Sequence, residues 1–338
     1  MFSKLFLILF FLGMAVDLTA QQQRFSFMQP KMASPFNIIF YADDSLKAST
    51  LAQQCFSLVD SFVFIFSDYI DSSELMKLSN SSGIKDKPVK VSPALFDILL
   101  LSKFAYEQSK GTCDITVGPL VKLWRRARKT NKFPSDEMIK ATRKLIGFDK
   151  VYIDTINKTV TLLTPGMQLD LGGIAQGYIA QKVLDFLTGQ QIKSALINVS
   201  GDIVMSGAPP NTNGWTVGIN VPETKDELLP KTLIMQNKAV TTSGDAYQFM
   251  EYNGKKYSHI VNPKTGYGIT SQKNVTIIAN DGTLADWLTK ACSILPIKKA
   301  KRLANKLGAE VLITQIKKGK IKYHATKGFT FYWKQLSL

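Results

Sequence analysis

Leu169–Tyr178 reads LDLGGIAQGY. An extended apolar run ends in the paired glycines Gly172 and Gly173. A helical pattern starts at about Ile174, with Ile179, Val183 and Leu187 on one face. Bare backbone N–H groups at a helix start bind phosphate, and glycines let a ligand come close to the chain. Asp170 adds a charge at the junction. Tight strand-to-helix packing accounts for the same glycines, so the stretch speaks first about architecture.

Helices and strands alternate on either side of it. Ser92 and Pro93 open a helix with a hydroxyl cap and a proline in the first turn, and Leu95, Ile98, Leu99 and Ala105 follow up to Gly111. Ser135 caps a short helix that is expected to stop at Gly147. Thr283–Leu295 and Lys298–Leu307 read as two more helices. Strand patterns cover Lys150–Ile153, Thr159–Leu163, Ser194–Val199, Trp215–Val221, Val275–Ala279, Val311–Ile316 and Thr330–Trp333. Asn253-Gly254 and Lys318-Gly319 mark two hairpins. Hairpins and helices together predict an α+β fold with mixed, largely antiparallel sheets and packed helices. No GxGxxG follows an early strand, which speaks against a dinucleotide-binding Rossmann fold.

The chain has 338 residues, 45% of them hydrophobic and 20% charged, which excludes disordered, collagen-like and low-complexity classes. Residues 1–20 read as a secretory signal: Lys4, then an apolar run from Leu5 to Val16, then Ala20 before Gln21. The run is about half the roughly 20 residues a membrane-spanning helix needs; an uncleaved anchor is the alternative. No further segment reads as long and apolar enough to span a bilayer. The expectation is an exported, periplasmic chain with one domain over residues 21–338. The three cysteines, Cys55, Cys113 and Cys292, form no CxxC pair and predict at least one free, buried thiol. Only two histidines occur, His259 and His324, so a multi-histidine zinc site is excluded.

The 42 Lys and Arg against 26 Asp and Glu give a net charge of +16. Lys122–Lys132, Lys298–Lys306 and Lys317–Lys322 are the basic clusters. Such a surface suits phosphorylated ligands or anionic lipid, and export makes nucleic acid the weakest partner class. A solvated basic face is the plainer reading. Peripheral association with the inner membrane is compatible with this charge.

Three further stretches carry candidate chemistry. Gly111–Pro119 (GTCDITVGP) offers Asp114 and Thr116 beside a Gly-Pro turn. Ala239–Asp245 (AVTTSGD) offers the hydroxyls of Thr241, Thr242 and Ser243, and Tyr257–Gly266 (YSHIVNPKTG) places His259 on a strand entering a turn. Asp281–Lys290 (DGTLADWLTK) begins a helix with acids that suit either the helix dipole or Mg²⁺.

In this order the stretches resemble the FAD:protein FMN transferase (ApbE) family, from about Met32 to Lys334. Leu196–Ile203 (LINVSGDI) is similar to the family's glycine-rich strand, and Ser72–Glu74, with Leu78 and Asn80, looks like its early ligand loop. The resemblance implies an ApbE-like, T-fold-related fold. It implies transfer of FMN from FAD to a Ser or Thr hydroxyl of an acceptor flavoprotein, with release of AMP. Its FAD-contacting positions would be Met32, Ser73, Glu74, Asp114, Ile115, Thr116, Asp170, Gly172, Gly173, Tyr178, Thr242, Ser243, Gly244 and His259, with His259 as general base. Its Mg²⁺ site maps onto the Ala175 backbone carbonyl, Asp286 and the position of Lys290, where the family carries Thr. An ammonium cannot ligate Mg²⁺; one turn from Asp286 it is placed to pair with that carboxylate. Asn262 and Lys264 stand where Asp and Arg are usual. FAD hydrolysis to FMN and AMP, or FAD binding without turnover, are the alternative functions.

Overall fold

The computed structural model describes residues 22–84, 86–222, 227–243, 249–271, 273–318 and 320–335. The expected leader at 1–20 lies outside them. Among the described residues, an eight-stranded sheet forms the frame, and its strands lie side by side in chain order. They are β1 (Gln23–Lys31), β2 (Ser34–Ala42), β3 (Ala195–Val199), β4 (Asp202–Met205), β5 (Lys238–Ser243), β6 (Lys273–Ala279), β7 (Glu310–Lys317) and β8 (Lys320–Ala325). Every neighbouring pair is antiparallel.

Both faces of the sheet are covered, and strand alternation says how. In β2, Phe36, Ile38 and Phe40 are fully buried toward the helices, while Ile39 and Tyr41 pack toward the other side. In β6 every residue is buried. The helical side is built by α1 (Ser45–Phe66), α2 (Glu74–Asn80), α3 (Pro93–Ser109), α4 (Gly118–Thr130), α5 (Asp136–Arg143), α6 (Ala175–Gly189), α7 (Gly282–Ile294) and α8 (Ile297–Lys306). The first six, with a small sheet of Val89–Lys90, Val151–Asp154 and Thr159–Leu162, form one excursion between β2 and β3. The opposite face is closed by Trp215–Asn220, Leu228–Met235 and Trp333–Gln335, whose Trp215, Leu233 and Met235 meet Leu196 and Ile278 of the large sheet.

Local signals hold where short-range chemistry decides. Ser92 Oγ accepts from Leu95 N, Ser135 Oγ from Met138 N and Asp281 Oδ1 from Leu284 N. Asn253 and Gly254 both adopt the left-handed conformation that the tight hairpin turn requires. Lys318 does so too, whereas Gly319 lies outside the described residues.

Four expectations are corrected. α5 ends at Arg143 and a turn continues to Gly147. Gly118-Pro119 is not a free turn but the opening of α4, the helix that carries the Lys122–Lys129 basic residues. The strand expected over Thr330–Trp333 is a helical turn, Phe329–Tyr332, with pairing only from Trp333 onward. The fully buried Phe329 causes this, because the turn sets its ring edge-on to Trp333 at 6.0 Å. Lastly, α1 is long and apolar enough to cross a membrane by length and composition. It is nonetheless a wall of the core: Leu51, Cys55, Val59, Phe62 and Phe66 are buried at helical spacing.

The contact that positions the site is the crossing of α6 over α7. A Cβ at Gly177 would lie 2.1 Å from the Gly282 carbonyl oxygen, and one at Gly282 would lie 2.6 Å from the Gly177 oxygen. Only glycine at both places lets the two backbones touch, which brings Asp286 beneath the first turn of α6.

Candidate active site

A cavity of about 200 Å³ opens where the Thr112–Ile115 loop, α4, the Asp170–Gly173 turn, the His259–Pro263 loop and α7 converge. Asp114, Ile115, Asp170, Gly172, Gly173, His259 and Lys290, all predicted from sequence, line it together.

The Asp170 turn is held on three sides. Asp170 N donates to the Ile115 carbonyl at 2.8 Å, and Asp170 Oδ1 accepts from Gly172 N at 2.8 Å. Asp170 Oδ2 receives Arg125 Nη2 at 3.0 Å, and the same guanidinium also pairs with Asp68. Burial and the nearby Asp68 push the Asp170 carboxyl up, while Arg125 and the Gly172 N–H pull it back. Ile174 gives α6 no side-chain cap; Ala175 N donates to the Leu171 carbonyl at 2.8 Å and Gly177 N to Asp286 Oδ2 at 3.0 Å, so the first turn is held from within the protein. Across the cavity, burial raises the Asp114 carboxyl, opposed by hydrogen bonds from Thr116 N at 2.9 Å and Thr116 Oγ1 at 2.7 Å.

The His259 loop is pinned to α4. Trp124 Nε1 donates to the Gly266 carbonyl at 2.9 Å, and the Trp124 ring stacks on Tyr257 at 5.8 Å. Gly266 has φ +82°, and a Cβ there would meet Ile139 at 2.5 Å, so no other residue fits. Asn262 Oδ1 accepts from Lys264 N, so the turn closes with Asn in place of Asp. His259 itself sits one residue past the strand Lys255–Ser258, not on it. His324 lies on β8 opposite Ile313, away from the cavity lining.

The base of the cavity holds Lys290, Asp286 and Asp202. Lys290 Nζ stands 3.0 Å from Asp286 Oδ1, so the pairing anticipated one helical turn apart is formed. Asp286 is fully buried, and its Oδ2 accepts from Gly177 N at 3.0 Å. Asp202 is also buried; burial and Asp286 push its carboxyl up to about 7 against the pull of Lys290 and a hydrogen bond with Thr241. Burial works against the Lys290 ammonium, but Asp286 and Asp202 outweigh it and hold its pKa above the ordinary lysine value.

Other predicted positions have different surroundings. Met32 sits with φ 53° in the β1–β2 turn. Ser73 caps α2 by accepting from Met76 N, and Glu74 receives Ser92 N, which ties α2 to α3. Thr116 accepts from Gly147 N at 2.7 Å. The Tyr178 ring lies between Phe62 and Phe66, its hydroxyl 2.8 Å from Asp97. Thr242 Oγ1 meets Thr276 Oγ1 at 3.0 Å on the sheet, and Ser243 is buried beside it. None of these seven lines the cavity. Gly244 falls outside the described residues.

Four cavity or base residues were not singled out from sequence. Arg125 and Arg128 were read only as a basic cluster, although with Val121 they share one face at i, i+4 and i+7 spacing. Tyr69 stacks its ring 4.4 Å from the Arg125 guanidinium carbon. Asp202 gives no signal, because its charged partners Asp286 and Lys290 are more than eighty residues away in sequence. All three cysteines are buried and free. Burial pushes each thiol up to about 12, Cys113 at the cavity included, so none is a nucleophile at neutral pH.

The residues present do not fit a magnesium ion. Mg²⁺ requires oxygen donors in near-octahedral array. Here the Ala175 carbonyl and Asp286 are joined by an ammonium in contact with the carboxylate. Among the described residues no group of three or more His, Cys, Asp or Glu side chains could hold a metal.

Fold and cavity define an α+β protein whose titratable side chains, Asp114, Asp170, Arg125, Arg128, His259 and Lys290, converge on one cavity ahead of α6. The ApbE family model matches residues 32–313, and the chain belongs to that family. It is 32% identical over 267 residues to the FAD:protein FMN transferase of Klebsiella pneumoniae (strain 342), covering 78% of this chain and 81% of that one. It is 30% identical over 262 residues to the FAD:protein FMN transferase of Treponema pallidum (strain Nichols), covering 73% and 72%. The solved ApbE protein from Thermotoga maritima superposes with a TM-score of 0.82 at 24% identity, over 93% of this chain and 100% of that one. The flavin transferase ApbE from Vibrio cholerae gives 0.81 at 24%, over 92% and 99%.

Proposed function

We propose that this chain transfers FMN from FAD to a Ser or Thr hydroxyl of a target flavoprotein and releases AMP. The observation that carries the reading is one cavity in which Arg125, Arg128, Lys290, His259 and the Gly172-Gly173 turn ahead of α6 face the same space. A diphosphate is the ligand such a set suits: planar guanidinium groups and an ammonium bind phosphate oxygens, and the paired glycines let the ligand come close to the chain.

The acceptor oxygen attacks the phosphorus on the FMN side of the diphosphate. That oxygen–phosphorus bond forms as the bond to the bridging oxygen breaks, and AMP leaves with the electron pair. His259 takes the acceptor hydroxyl's proton. The cations meet the charge on the phosphoryl oxygens in the transition state. Tyr69, three-quarters exposed at the mouth, offers a ring face to the flavin or adenine. No step is assigned to Mg²⁺, since the donors present do not suit it. Export through residues 1–20 to the periplasm, where acceptor and FAD would be met, is part of the proposal. So is peripheral contact of the basic α8 face with anionic lipid.

The test is incubation of the purified chain with FAD and an acceptor bearing a Ser/Thr flavinylation motif. In-gel flavin fluorescence on the acceptor, with stoichiometric AMP, is expected. FMN and AMP without a labelled acceptor would assign hydrolysis instead, and bound FAD without turnover would assign a binding protein.

A further inference from the structure

The base of the cavity contains two buried carboxylates and one ammonium. Asp286 Oδ2 is taken by Gly177 N, and its Oδ1 has Lys290 Nζ at 3.0 Å and no other polar neighbour. Asp202 Oδ1 is buried without a hydrogen-bond partner. Lys290 reaches this place past the α6 start: a Cβ at Gly173 would lie 3.2 Å from Lys290 Cγ, so the glycine leaves room for the lysine stem. The side chain is one-fifth exposed and lines the cavity. An ammonium has three donors. One faces Asp286, which leaves the others for a ligand in the cavity.

We propose that Lys290 is the resident cation of this site: its ammonium occupies the place of a divalent ion, and the chain binds the diphosphate of a flavin dinucleotide without any divalent metal. A divalent ion would have to displace the ammonium from the carboxylate it contacts, or sit beside a like charge in a buried setting. A covalently attached cation has neither to be recruited nor to be retained. The inference rests on the proposed use of FAD and concerns how that substrate is held.

The experiment is an equilibrium titration of FAD into the purified chain, followed by flavin fluorescence, in EDTA and in excess MgCl₂. The two dissociation constants are expected to agree within about twofold, and a loss of about tenfold or more in EDTA would overturn the proposal. Titration with MnCl₂, read by the electron paramagnetic resonance of free Mn²⁺, is expected to show no stoichiometric uptake with FAD bound; one ion per chain would overturn it. Lys290→Met should weaken FAD binding by about 10- to 100-fold with and without Mg²⁺, and unchanged affinity would remove Lys290 from the site. Lys290→Thr should acquire a Mg²⁺-dependent affinity that the parent lacks; equal responses in both would count against the exchange of cation for metal. Absence of FAD binding under every condition would sink the functional reading, and this inference with it. The Mn²⁺ result on the unaltered chain decides the matter even where a variant fails to fold.

Discussion

The large sheet carries a hollow on each side, and they differ in kind. The hollow on the small-sheet side measures about 990 Å³ and is lined by Ile39, Tyr41, Leu196, Trp215 and uncharged polar residues such as Asn198 and Thr216, with Arg24 its one charged residue among those described. The cavity on the helical side measures about 200 Å³ and gathers Asp114, Asp170, Arg125, Arg128, His259 and Lys290. Volume alone would favour the first. Convergence of titratable groups with altered proton affinities marks the second, because such groups are costly to bury and are brought together only by specific pairing.

The sharpest way to break that comparison is His259→Ala. Transfer to an acceptor should fall by roughly 10²–10⁴-fold, the range of a lost general base, with FAD affinity by equilibrium dialysis largely kept. Unchanged turnover would take the imidazole out of the reaction. Next comes Gly177→Ala beneath the same cavity. The new methyl would meet the Gly282 carbonyl, so chemical denaturation should show a loss of at least about 1–3 kcal/mol. A neutral result would mean that α6 and α7 do not touch as described.

A pH experiment sharpens the contrast further. Asp202 is held at about 7 in the folded chain, against an unfolded carboxylate value of about 3.9. The folded state therefore binds the proton more tightly. Its contribution to stability is fully present below about 4 and is lost as pH rises through about 7. In Asp202→Asn the fall in melting temperature over that window should be smaller than in the parent, and parallel pH profiles would contradict the assignment. The smallest effect belongs to the other hollow. Thr216→Ala, on its exposed rim, should leave stability within about 0.5 kcal/mol and transfer rate unaltered. A marked loss of transfer there would mean that the larger hollow takes part.

Some of this was legible residue by residue. The caps at Ser92 and Ser135 and the Asn253-Gly254 turn depend on atoms within four positions, and each formed as read; Asp281, read as a helix-start acid, caps α7. The pairing of Lys290 with Asp286 was legible for the same reason, being one helical turn long. The Phe329 turn was not, because apolar alternation cannot tell a strand from a helical turn held by one buried ring. The role of α1 was not either: a 22-residue apolar helix reads alike in a core and in a membrane, and only the layers around it decide.

By itself, then, the chain's order of residues settled the α+β class, the helix starts at Ser92 and Ser135, the glycine-marked junction at Gly172 and Gly173, and the family to which it belongs. Those properties rest on short-range sterics and hydrogen bonding. Tertiary structure alone decided that Arg125 would join Asp68 to Asp170, that Asp202 would lie near Asp286, and that seven of the anticipated contact positions would stand apart from the cavity. Such meetings come from the closure of long loops and the backbone contact of Gly177 with Gly282, whose free energies are summed over the whole packed core and leave no mark on any local stretch.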